Sequence, residues 1–128
     1  MTVFPESHLD LLEAPTAILS TVGRTGIPHT TPLWFLHDSD GEVKLWLSDA
    51  RQKTKNLLQR PQCSLFILDT ANTARYLALR GHAELEPDLE CELGDKFSKK
   101  YNTDVRRMLN DTETRYAVTI RPFQVMTR

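Results

Sequence analysis

The chain has 128 residues and a formal net charge of −1, with an isoelectric point near 6.4. That is length for one domain with a real core, at a size where a second subunit would help to cover apolar surface. So even a charge balance argues against non-specific binding to nucleic acid or to a membrane surface, and any basic cluster has to act locally.

No stretch approaches the roughly 20 apolar residues of a membrane span. The N-terminus has no basic region followed by an apolar run, so no signal peptide is expected and the cytoplasm is the expected compartment.

In chain order, ESHLDLLE (6–13) reads as a short opening helix that ends before Pro15. TAILSTV (16–22) reads as a strand, and GRTG turns it into the run IPHTTPLWFLH (27–37). Pro32 lies inside that run and cannot donate to a strand ladder, so the segment is expected at a sheet edge or a bulge. An unpaired edge leaves backbone donors and acceptors for a flat heterocycle; equally, proline there is a common guard against edge-to-edge aggregation. DSDG (38–41) is a second turn, leading to VKLWLS (43–48) with Val43, Leu45 and Leu47 on one face.

SDARQKTKNL (48–57) then starts a short helix. Asp49 is the expected N-cap, with Gln52 completing a variant capping box. Leu57 and Leu58 supply the expected core-facing edge, and Arg60-Pro61 stops the helix. Beyond it, CSLFILD (63–69) is a strand, TANTA a polar loop, and RYLALRGHAELEP (75–87) a long strand. DLECELGDKFSKKYN (88–102) is expected helical, with Leu89, Leu93 and Phe97 on one face and DVRRML as an extension. RYAVTIRP (115–122) is the last expected strand. Six or more strands in short-loop succession argue for a closed antiparallel barrel rather than an alternating parallel sheet, in a single unit spanning residues 1–128.

The chain lacks H-E-x-x-H, G-x-S-x-G, the G-x-G-x-x-G fingerprint and the phosphate-loop motif, so hydrolase, zinc-enzyme and nucleotide-loop chemistries find no support. Cys63 and Cys91 have no partner at metal spacing and are expected to be buried thiols. What stands out is electrostatic. A helix start behaves like roughly half a positive charge, so Arg51, Lys53 and Lys55 beside it cost about a few tenths of a kcal/mol each. Either this is a solvated basic face, or free amides and cations together form an anion site whose usual occupant is a phosphate.

The segments AILSTVGRTGIPHTTPLWF, LWLSDARQKTKNLLQRPQCSLFILD and RYLALRGHAELEPD together resemble the flavin- and deazaflavin-binding split β-barrel family that includes pyridoxamine phosphate oxidase, and within it the coenzyme F420-dependent reductases. The resemblance implies a mainly β, antiparallel split barrel with a few short helices, and favours the anion site. It places the cofactor phosphate at Arg51 and Lys53, supported by Thr54, Lys55 and Asn56, with Ser48 at the ring-to-phosphate portion. The backbone of Pro32, Leu33 and Trp34 would lie along the tricyclic ring. In a homodimer with the cofactor at the interface, Arg75, Tyr76 and Leu77 would close the pocket from the other subunit. Core or interface packing is an equal role for Trp34 and Tyr76.

The implied activity is hydride transfer from reduced F420 to a small unsaturated or quinone-like substrate. FMN-dependent oxidoreduction and a cofactor carrier without turnover are the alternatives, because FMN and F420 share a ribityl phosphate. Arg24 and Lys44 are candidates for the acidic tail of F420. Tyr76 and His29 are possible proton donors, with no catalytic residue and no metal assigned.

Overall fold

A computed structural model describes residues 4–128; the first three residues of the expected 1–128 unit lie outside the described residues. After a 3₁₀-helix at Glu6–Glu13 come β1 (Ala17–Val22), β2 (Pro28–Leu33), β3 (Leu36–His37), β4 (Val43–Ser48), α1 (Gln52–Gln59), β5 (Gln62–Leu68), β6 (Tyr76–Pro87), α2 (Glu92–Tyr101), a 3₁₀ turn at Val105–Met108, and β7 (Arg115–Thr127). The strands form one antiparallel sheet in the order β2-β1-β5-β6-β7-β4-β3.

The barrel is split rather than closed. β2 and β3 are neighbours in the chain but occupy opposite edges of the sheet, so Trp34 and Phe35 carry the chain across the gap. The expected continuous run 27–37 is therefore two strands, and Pro32 sits where its missing N–H is tolerated, on edge strand β2 opposite Ile18.

Alternation along the strands fills the interior. Leu19, Leu45, Leu65, Ile67, Leu77, Leu79, Val118 and Ile120 are buried there with Phe35 and Leu12. β4 is covered on its other face as well, because Trp46 lies in a second cluster with Leu93, Phe97 and Val105 beneath α2. Both cysteines are free and buried.

Five local expectations are corrected. Asp49 does not cap α1: its Oδ1 accepts from Thr114 N at 3.1 Å, the N-cap is Arg51, and no side chain caps the helix. Gln52 likewise donates to Asn56 Oδ1 at 2.8 Å instead of completing a capping box. Leu58 is exposed, while Leu57 is buried.

α2 begins at Glu92, because Asp88 collects Gly94 N and Trp46 Nε1, both at 3.0 Å, and ends the chain's approach there. Leu89 precedes the helix and is 84% exposed. β7 continues past Pro122, where a register shift lies opposite Arg80 and Gly81; a Cβ on Gly81 would come within 2.5 Å of Arg121 O.

The β3–β4 turn is tied to α2 through Asp38, which is buried and accepts from Lys44 Nζ at 2.7 Å and Lys96 Nζ at 2.9 Å. Burial raises its pKa, but the hydrogen bonds from the two lysines outweigh that and hold the carboxyl far below the usual range. Its contribution is present above the ordinary aspartate pKa and is lost as pH falls below it. Asp38→Asn should cost about 1–3 kcal/mol at pH 7, and urea midpoints measured from pH 7 to pH 3 should fall less steeply than those of the wild type.

Candidate functional site

A cleft of about 690 Å³ opens between edge strand β2 and the start of α1. Thr31, Pro32, Leu33 and Trp34 form one wall, Leu47 and Ser48 lie at the end of β4, and Arg51 and Lys53 project from the first turn of α1. Residues more than a dozen positions apart meet here because β2 is left at an edge and β4 delivers the chain into α1.

The wall is braced from behind. Trp34 stacks on Tyr101 with centroids 4.0 Å apart and planes within 6°. Tyr101 Oη in turn lies 3.1 Å from both Phe35 N and Phe35 O, and 2.8 Å from Pro15 O. Lys100 Nζ donates to Phe35 O at 2.6 Å over the Phe35 ring, and burial pushes its pKa down to about 8. The crossing at 34–35 is thus anchored by α2, which presents the indole to the cleft as a rigid platform.

The electrostatics are one-sided. Among the described residues, Arg51, Lys53 and Lys55 form no ion pair. Burial and the neighbouring Arg51 charge push the Lys53 pKa down, as expected for a cation held beside another without a counter-ion. The uncapped helix start adds its own positive end. Among the described residues, four buried side-chain atoms lack a partner: His29 Nδ1, Thr31 Oγ1, Thr54 Oγ1 and Arg115 Nε. Three of these belong to residues lining the cleft. Buried polar atoms are normally paired, so such a concentration fits a polar, anionic occupant.

The sequence-selected residues separate into groups. Pro32, Leu33, Trp34, Ser48, Arg51 and Lys53 line this one cleft. Thr54 is buried within α1 and does not line the cleft. Asn56 is buried and donates to Thr21 Oγ1 at 3.0 Å, so its side chain pins α1 to β1. Lys55 faces a second cleft of about 760 Å³ with Arg24 and Arg60, which shares His29 and Gln52 with the first.

Within one chain the site does not include Arg75 or Tyr76. The Arg75 guanidinium is held by Asp10 at 2.6 Å and Asp69 at 3.0 Å, and Tyr76 packs on Phe66 with centroids 5.1 Å apart. Leu77 is fully buried in the core. Lys44, between Asp38 and Asp40, is likewise engaged elsewhere.

Arg115, Trp46 and Met108 line the cleft but were not expected there. Arg115 lies over the Trp46 ring at 4.7 Å and opposite Ser48 in the β4–β7 register. Only that long-range pairing brings them in, and no local sequence signal marks it.

A sequence model of the pyridoxamine 5'-phosphate oxidase family matches residues 4–127. No curated protein sequence matches the chain. Among solved structures, an F420 reductase is 28% identical over 96% of this chain and 98% of its own, with a TM-score of 0.83. The conserved hypothetical protein Rv2991 of Mycobacterium tuberculosis is 28% identical over 98% of this chain and 84% of its own, with a TM-score of 0.79. The General Stress Protein 26 of Bacillus anthracis, 21% identical over 95% of this chain and 91% of its own with a TM-score of 0.73, shares the fold.

Cations with no internal partner repel each other and the helix end. Replacing both Arg51 and Lys53 by Ala should therefore leave the ligand-free protein as stable as the wild type or more stable, by up to about 1 kcal/mol in urea unfolding. A loss of stability would mean that the pair serves the fold.

Proposed function

The chain belongs to the pyridoxamine 5'-phosphate oxidase family, and from that premise we propose that it is an F420H2-dependent oxidoreductase acting on a small unsaturated or quinone-like substrate. The observation that carries the reading is the meeting of Arg51 and Lys53, unpaired at an uncapped helix start, with the Pro32–Trp34 edge in one cleft. Their charges and the free first-turn amides suit a phosphate. The backbone of the edge, with Trp34 held by Tyr101, suits a planar ring.

The bound cofactor would supply the hydride, so the protein's part is placement, charge compensation and exclusion of water. Arg51 and Lys53 hold the phosphate, and Ser48 lies between that end and the ring. His29 lines the cleft while Tyr76 does not, and no catalytic residue is assigned. The whole chain would serve as a single cofactor-binding domain. Exposed apolar side chains, among them Ile27 and Phe123, favour a homodimer in which a second copy completes the pocket with its Tyr76.

Two observations favour F420 over FMN. The first is the 28% identity to an F420 reductase over nearly the full length of both chains. The second is the adjoining cleft with Arg24, Lys55 and Arg60, which has room and charge for an acidic tail that FMN lacks. Family membership alone is equally compatible with FMN. No helix among the described residues is long and apolar enough to cross a membrane, in keeping with the cytoplasmic setting we propose.

Fluorescence titration should find F420 bound by the wild type, and Arg51→Ala with Lys53→Ala should weaken it by about 1.5–3 kcal/mol for each charged hydrogen bond lost. Unchanged affinity would remove the phosphate assignment. Exchange of Arg24, Lys55 and Arg60 for Ala should lower affinity for F420 several-fold and leave FMN binding as it was; an equal loss for both would remove the tail assignment.

A further inference from the structure

We propose that Glu113 makes the phosphate end of this cleft selective for a singly charged phosphodiester over a doubly charged phosphomonoester. The inference rests on the cofactor reading above and sharpens it, because the phosphate of F420 is a diester and that of FMN a monoester.

Glu113 precedes β7 and reaches back across the end of β4. Its Oε2 accepts from Ser48 Oγ at 2.6 Å, and the same hydroxyl accepts from Ala50 N at 3.1 Å. Arg115 Nη2 lies 3.8 Å from the carboxylate. The Ser48 bond, with the charges of Arg115 and Arg51, holds the Glu113 pKa below the usual range despite some burial, so the group is a fixed negative charge at neutral pH. Asp49, the next carboxylate at this end, is held by Thr114 N at 3.1 Å.

Three cations of the cleft, Arg51, Lys53 and Arg115, therefore stand against two carboxylates placed by backbone and hydroxyl bonds. The excess is a single positive charge, which matches a monoanion. A phosphomonoester carries close to two negative charges at pH 7, and its second charge has no counterpart here. The arrangement is not an accident of long flexible side chains, since Ser48 is buried and pins the carboxylate to the strand that forms the cleft floor.

One unit charge across a water-screened cleft changes binding on the order of three- to tenfold for each ligand charge at the phosphate end, and far less for the tail charges of F420, which the cofactor reading places in the adjoining cleft. A dianion thus gains more than a monoanion when the carboxylate is neutralised. Glu113→Gln keeps an oxygen for Ser48 while removing the charge, and Glu113→Asp keeps the charge. Equilibrium dissociation constants for FMN, F420 and riboflavin, which has no phosphate, are measured by fluorescence on all three proteins.

The expected result is that Glu113→Gln tightens FMN at least threefold relative to F420, leaves riboflavin unchanged, and that Glu113→Asp stays near the wild-type ratio. An unchanged ratio of FMN to F420, or a shift shared by riboflavin, would overturn the role of Glu113 while leaving the cofactor reading in place. Failure of the wild type to bind either phosphorylated cofactor would remove the cofactor reading and this inference with it.

Discussion

The arrangement of this protein turns on a charge conflict that its own fold leaves unresolved. Arg51 and Lys53 sit where the helix end is already positive, the helix has no capping side chain, and among the described residues no carboxylate within ion-pairing distance answers them. Several other charges are answered within the chain: Arg75 takes two aspartates, Arg106 takes Asp95, and Asp38 is shared by two lysines. What sets Arg51 and Lys53 apart from other unpaired cations is their place, in a cleft whose lining also holds buried polar atoms without partners, where an anion would relieve both.

The rest of the framework makes the open cluster usable. Splitting the barrel between β2 and β3 leaves an unpaired edge beside α1, and the crossing at Trp34–Phe35 needs an anchor because it has left the ladder. α2 supplies that anchor through Tyr101 and Lys100, and α2 is itself fixed by Asp88 and Asp38. Polar bonds of this kind fix direction more than they add stability, which is what the proposed ring-binding wall would require. Asn56 does the same for the helix, tying it to Thr21 of β1 and so holding the cations at the cleft mouth.

Much of this was legible in the amino-acid order. Period-two alternation marked β4, short apolar runs bounded by turns marked β1, β5 and β6, and Pro32 announced an edge or a bulge because a residue without an N–H has few other places in a sheet. The unusual cations of α1 were visible as a departure from normal helix chemistry. What escaped notice depends on pairing between distant segments. Asp49 looks like a cap by local rules, yet Thr114 competes for it through the β4–β7 ladder. Pro122 looks like a terminator, yet β7 bulges at Phe123 and runs on, with Gly81 on the facing strand leaving room for the Arg121 carbonyl. Arg115 joins the cleft only because its strand is registered against Ser48. Leu89 misled because an apolar spacing does not say where a helix starts, and Asp88 delays that start past it.

The most direct measurement is a crystal structure of the protein grown with F420. The account predicts phosphate oxygens within hydrogen-bonding distance of Arg51, Lys53 and the first-turn amides of α1, with the tricyclic ring along Pro32–Trp34. Cofactor bound elsewhere, with the α1 cations turned to solvent or taken by a carboxylate of a second copy, would contradict it.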